Sequence, residues 1–261
     1  MDLGLKDKVI VVSGGASGIG EAISRGALQE GAKVAVMTRM TAAAVQFQAW
    51  VEQQGADCLI LPVELGEVEQ CERAIETVQQ RFGRIDALVN NAGFNDNVGL
   101  ETGSPQKFME SLQQNLVHCY TLAHFALPLL KASSGSIVNI SSKVALTGQG
   151  NTSAYAAAKG AQLALTREWA VELLPYRIRV NAVLPAEVMT PLYREWIDRQ
   201  ADPEQQLQNI AARVPLEHRF TRPEEIAAAV LFLISPLQSA HTTGQHLVVD
   251  GGYVHLDRVL T

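Results

Sequence analysis

The chain opens with a β-branched run, residues 9–12, that ends in Ser13-Gly14-Gly15, and residues 21–29 then carry apolar positions at helical spacing. Strand, glycine turn and helix in that order make half of a βαβ unit. The alternation continues with a strand over 33–37, a helix over 42–53, a strand over 57–63 and a helix over 68–81. Further strands are predicted at 87–89, 136–140, 179–183 and 246–249, separated by helical patterns long enough for right-handed crossovers. Such a series predicts a single α/β domain: a doubly wound, seven-stranded parallel sheet with helices on both faces. No internal repeat, low-complexity tract or linker interrupts it. Residues 185–215 break the rhythm, because the stretch is too long for an ordinary loop and contains an amphipathic piece at 192–199. A substrate-binding lid is the expectation there, and a helical surface excursion the alternative.

Composition narrows the function class. The longest apolar stretches, residues 125–130 and 226–234, fall short of the roughly 20 residues that cross a bilayer. Asp2, Lys6, Asp7 and Lys8 precede the first apolar run, and no small-residue cleavage site follows, so a cytoplasmic location is expected. The formal charge of −6 argues against a nucleic-acid surface, which needs clustered Lys and Arg. Cys58, Cys71 and Cys119 show no metal-ligand or redox spacing, so no metal is expected and the thiols read as buried.

The turn after the first strand carries the first chemistry. Ser13, Gly14, Ser17, Gly18, Ile19 and Gly20 lie where a backbone must bend sharply and approach a pyrophosphate closely. The amides of the following helix can hold the phosphates. The second strand ends at Thr38-Arg39, where a carboxylate would grip a ribose hydroxyl and an arginine suits a 2′-phosphate. Arg39 therefore favours NADP, with NAD as the other option.

Tyr155 and Lys159 stand four apart in the helical segment 153–167, so their side chains share one face. A phenol is a poor base near neutrality, but a neighbouring ammonium and a cationic cofactor ring favour its phenolate. Together the glycine turn, Asn90-Asn91-Ala92-Gly93, Ser142, Tyr155 and Lys159 resemble the short-chain dehydrogenase/reductase family across almost the whole chain. The resemblance implies an NAD(P)-dependent oxidoreductase acting on CH–OH groups, with Tyr155 as acid/base and Ser142 donating a hydrogen bond to the reacting oxygen. It further implies that Asn115 holds a water linking Lys159 to solvent, and that Lys159 also bonds the nicotinamide ribose. Asn91, Ala92 and Gly93 would floor the nicotinamide side, Glu64 and Leu65 would face the adenine, and Pro185, Val188 and Thr190 would bind the carboxamide. Glu64-Leu65 stands where the family has Asp-Val, and Pro185-Ala186 where it has Pro-Gly. Family likeness also implies a homotetramer, through helices over residues 108–129 and 153–174, in which Leu112, Leu116, Leu122, Leu163, Leu165 and Trp169 are apolar.

The loops are polar: Asn95 and Asp96 follow the cofactor floor, Lys143, Gln149 and Asn151 follow Ser142, and Glu187 follows Pro185. Converging amides and charges suit a ligand with several hydroxyls, a sugar, unless these are solvated loop residues. Residues 185–193 and 250–258 resemble sugar-oxidising members of the family, which convert the C1 hydroxyl of an aldose to a lactone. The rival enzyme reading is a 3-oxoacyl-carrier-protein or general ketone reductase. A non-catalytic dinucleotide sensor is the reading from another class.

Overall fold

The computed structural model describes residues 1–256. Among them, seven strands form one parallel sheet in the order β3-β2-β1-β4-β5-β6-β7. They are β1 (Val9–Ser13), β2 (Lys33–Thr38), β3 (Cys58–Pro62), β4 (Ala87–Asn90), β5 (Ser136–Ile140), β6 (Arg179–Pro185) and β7 (His246–Val249). The intervening helices are α1 (Gly18–Gln29), α2 (Ala42–Gln54), α3 (Val68–Phe82), α4 (Pro105–Leu112), α5 (His118–Ser133), α6 (Ser153–Glu172), α7 (Pro191–Asp198), α8 (Pro203–Ala211) and α9 (Pro223–Ile234).

The strands are apolar on both faces because both faces are covered. Ile10 and Val12 of β1 point into the layer with α1, α2 and α9, where Ile23, Phe47 and Val230 are fully buried. Val9 and Val11 point the other way, toward Val78 of α3, Leu122 and Leu130 of α5 and Trp169 of α6. Leu122, Leu163 and Trp169, assigned above to a subunit interface, are thus core residues of the chain itself. The amphipathic spacing could not separate the two uses, since core and interface both bury apolar surface.

Residues 185–215 fold as α7 and α8, each started by a proline and an N-cap side chain: Thr190 accepts from the Tyr193 amide and Asp202 from that of Gln205. The predicted helix over 108–129 is interrupted. Residues Gln113–Val117 form a π-helical turn between α4 and α5, a feature without a propensity signal that recurs at functional sites.

Every loop leaving a strand's carboxyl end lies along one sheet edge, and the glycine turn is the first of them in the chain. Gly14 and Gly18 have left-handed φ values of 64° and 54°. A Cβ on Gly20 would run into the Gly14 carbonyl and lie 2.5 Å from Asn91 Nδ2. Gly20→Ala is therefore expected to cost about 1–3 kcal/mol of stability, the usual penalty for overpacking. Urea unfolding of the purified variant checks this, and an unchanged midpoint would show that the turn yields freely.

Candidate active site

The strand order reverses its direction of growth between β1 and β4, and the crevice at such a switch point is where open α/β sheets take their ligands. A set of hydrogen bonds fixes its walls. Ser13 Oγ accepts from the amides of Asn91 at 3.0 Å and Ala92 at 3.1 Å, while Asn91 Nδ2 donates to the carbonyls of Ser13 at 2.9 Å and Gly14 at 3.2 Å. The Asn91 side chain thus binds the glycine turn to the segment after β4. Asn90 is buried and donates to Asn139 of β5 at 2.9 Å.

The cradle fits a dinucleotide. α1 starts at Gly18, and Ser17 before it makes no side-chain cap, leaving first-turn amides to point into the crevice. Ile19 packs back on the core. Thr190 closes the cradle from the β6 side, its Cβ and Cγ2 both 3.2 Å from where a Gly18 Cβ would stand. A side chain at Gly18 would fill the space in which backbone and phosphate must approach. Pro185 ends β6 and Val188 is buried behind it. Arg39 and Glu64 are exposed at the ends of β2 and β3, brought together by the Val63 amide donating to the Thr38 carbonyl at 3.0 Å. Leu65 is half-buried beside them.

On the other side of the crevice Ser142, Tyr155 and Lys159 come together. Ser142 follows β5, and its hydroxyl bonds the Tyr155 hydroxyl. Burial pushes the Tyr155 phenol up to about 12, the Ser142 bond lowers it, and the Asp96 carboxylate raises it again. Burial is the largest of these influences and by itself favours the neutral phenol. Lys159 is buried, and burial lowers its pKa to about 8. Its ammonium donates to the Ile140 carbonyl at 2.8 Å and lies 5.6 Å from the centre of the Tyr155 ring. Asn115, inside the π-helical turn, accepts from the Phe94 amide at 2.8 Å. Gly93 passes between them, since a Cβ there would stand 3.0 Å from Asn115 Oδ1 and 3.3 Å from Lys159 Nζ.

The polar loop residues divide. Asp96 is close enough to Tyr155 to raise its pKa, and its Oδ1 is buried without a hydrogen-bond partner among the described residues. Asn95 turns back on its own loop, accepting from the Asn97 amide at 3.1 Å. Asn151 is exposed and accepts from Thr102 at 2.7 Å, and Gln149 is exposed. Glu187, anticipated as a free acceptor at the cleft mouth, is instead buried and pairs with Lys143 and Tyr193. Lys143 also lies 4.3 Å from the centre of the Tyr253 ring. Sequence reasoning missed Gln162, Tyr193 and Tyr253 as site residues. Gln162 left a signal in its spacing, three residues beyond Lys159 on the same helix face, while Tyr193 and Tyr253 lie in the stretches singled out above without being marked as site residues.

A glycine cradle at a switch point, facing a hydroxyl pair and a buried lysine, defines an NAD(P)-dependent oxidoreductase. Comparison with known proteins agrees. A family model described as enoyl-(acyl carrier protein) reductase matches residues 14–254. Rat (Rattus norvegicus) L-fucose dehydrogenase is 36% identical over 246 residues, covering 94% of this chain and 88% of that protein. The crystal structure of Cj0485 dehydrogenase superposes with a TM-score of 0.94 at 45% identity, covering 100% of this chain and 99% of that one. Thermoplasma acidophilum aldohexose dehydrogenase superposes with a TM-score of 0.89 at 31% identity, covering 100% and 99%. The chain belongs to the short-chain dehydrogenase/reductase family, whose members act on CH–OH groups with NAD(P). Residues 250–258, which carried part of the likeness to sugar-oxidising members, are described only as far as 256; Asp257 and Arg258 lie outside the described residues. Among the described residues no helix is long and apolar enough to cross a membrane.

Behind the site, burial and the Lys159 charge push His118 down from 6.5 to about 4. The unfolded chain therefore takes up a proton below 6.5 that the folded chain refuses until about 4. Stability should fall as pH drops through that window, by at most roughly 3 kcal/mol from this group, and no further below it. His118→Gln should remove that share of the loss between pH 7 and about 4.5 in urea titrations. An identical acid loss in both proteins would refute it.

Proposed function

We propose that this protein oxidises the C1 hydroxyl of L-fucose, or of an aldose close to it in stereochemistry, to the lactone, with NADP preferred over NAD. The observation that carries the sugar reading is Asp96: a carboxylate oxygen, buried and without a partner among the described residues, beside Tyr155. A carboxylate only accepts, and a sugar brings hydroxyl donors next to its reacting carbon. A thioester or simple ketone brings none, so that oxygen would be desolvated without compensation. The likeness to an L-fucose and an aldohexose dehydrogenase supports the same choice.

In this reading Gly14, Gly18 and Gly20 give the diphosphate access to the α1 amides, and Arg39 pairs with the 2′-phosphate. Bound NAD(P) supplies the hydride acceptor. Ser142 donates to the sugar oxygen, Tyr155 takes its proton as the phenolate and so becomes the neutral phenol, and the Lys159 ammonium favours the phenolate before that transfer. Asn115 holds Gly93 and Phe94 in place beside them. Residues 185–215 form the lid, with Glu187 joining its helix α7, through Tyr193, to Lys143 of the catalytic loop. Assembly as a homotetramer belongs to the same reading, through Tyr120 of α5 and Val171 of α6, which are exposed at 56% and 68%.

A panel of aldoses, sugar alcohols and acetoacetyl thioesters, followed by nicotinamide absorbance, tests the substrate. L-fucose or a close aldose should be turned over far faster than the thioesters. Asp96→Ala should lower kcat/KM for that aldose about 5- to 150-fold, as for one lost charged hydrogen bond. Tyr155→Phe should lower kcat at least ~100-fold. A parent enzyme that ignores every aldose and reduces the thioester would transfer the assignment to a 3-oxoacyl reductase.

Arg39→Ala should weaken NADP by tenfold or more, roughly what a charge-assisted phosphate contact contributes, and leave NAD nearly unchanged. Titration of the protein fluorescence with each cofactor measures this. Equal losses would show that Arg39 does not read the 2′ position.

A further inference from the structure

The acceptors that hold the Lys159 ammonium are neutral. One is the Ile140 carbonyl at 2.8 Å, and the other is Gln162 Oε1 at 3.4 Å. Gln162 is fully buried on α6. Its Nε2 donates to the Asn115 main-chain carbonyl at 3.1 Å and to Cys119 Sγ at 3.2 Å. The orientation of this amide follows from its neighbours. A carbonyl only accepts and an ammonium only donates, so the NH2 must face Asn115 and the oxygen must face Lys159.

We propose that Gln162 is a positioning residue for Lys159, a single amide that holds the ammonium at one end and ties it at the other to the π-helical turn carrying Asn115. This rests on the reading of Tyr155 and Lys159 given above. Two features make the bridge more than core filling. It joins two elements that approach the crevice from different sides, α6 and the turn before α5. It is buried, so each of its bonds is costly to lose.

The ionisable groups around that charge come from three elements. Tyr155 lies one turn back on α6, and Asp96 reaches Tyr155 from the loop after β4. His118 and Cys119 face Lys159 from α5. Burial keeps the last two neutral near pH 7, the thiol raised to about 11 and the imidazole lowered to about 4. The charge state of Lys159 is therefore sensitive to the one neutral side chain that solvates it.

The experiment compares the full-length parent with Gln162→Leu, Gln162→Glu and Tyr155→Phe, using L-fucose or the best-oxidised aldose of the panel at saturating cofactor. Gln162→Leu removes an acceptor from the ammonium, and kcat should fall roughly tenfold with the sugar KM changed less than about twofold. Gln162→Glu keeps the shape and adds a negative charge, which favours both the ammonium and the neutral phenol. The rising limb of kcat/KM against pH should then move up by about one pH unit. A merely structural glutamine would lower thermal stability in both variants and leave that limb in place. If Gln162→Leu fails to fold, the isosteric Gln162→Glu carries the test alone. Parental pH profiles in the folded Gln162 variants, with Tyr155→Phe inactive, would overturn this inference only. An active Tyr155→Phe would overturn the catalytic reading beneath it.

Discussion

All seven strands point the same way, and the rest of the molecule follows from that constraint. A parallel sheet must be covered on both faces, so each strand is apolar on both sides and each connection is a helix. The carboxyl ends then share one edge, and Ser13, Thr38, Asn90, Ile140 and Pro185 all finish there. Chemistry encoded at separated points of the chain is thereby delivered to one crevice. The Ser13 and Asn91 hydrogen bonds hold its two walls at a set spacing on either side of the switch point.

The most demanding group in the crevice is the Lys159 ammonium. A buried cation is tolerated only when its hydrogen bonds are met, because the desolvation cost is otherwise several kcal/mol. Here the end of β5 and Gln162 accept from it, and Gln162 is held in turn by the π-helical turn. The turn inserts one extra residue into what would be a continuous helix, and this places Asn115 against Gly93 and Phe94. The same burial raises Tyr155 and lowers Lys159, so it favours the neutral form of each, and the charges around them must work against it.

The substrate side is organised differently. Lys143, Glu187, Tyr193 and Tyr253 come from the catalytic loop, the β6 exit, α7 and the C-terminal segment. Their contacts tie the loop after β5 to the β6 exit and α7. Asp96, by contrast, has an oxygen without a partner among the described residues, beside the Tyr155 phenol. Among the described residues its hydrogen-bonding capacity is left open, whereas Glu187 and Asn151 have theirs taken by the chain.

The order of strands and helices, the cofactor turn and the pairing of Tyr155 with Lys159 were legible in the sequence because each depends on local spacing. Apolar period, glycines at a strand-to-helix junction and a four-residue helical repeat all act within a few residues. Only the tertiary structure decided which polar residues meet. Glu187 and Lys143 lie 44 residues apart in the chain and neutralise each other, while Asn151 bonds Thr102 away from the phenol. It also decided that Leu122, Leu163 and Trp169 serve the core, and that Gln162, an unremarked polar residue on an apolar helix, stands between Lys159 and Asn115. Local spacing sets which face of an element a side chain occupies. What lies opposite that face is fixed only when distant segments pack, and that packing assigned each buried charge its partner.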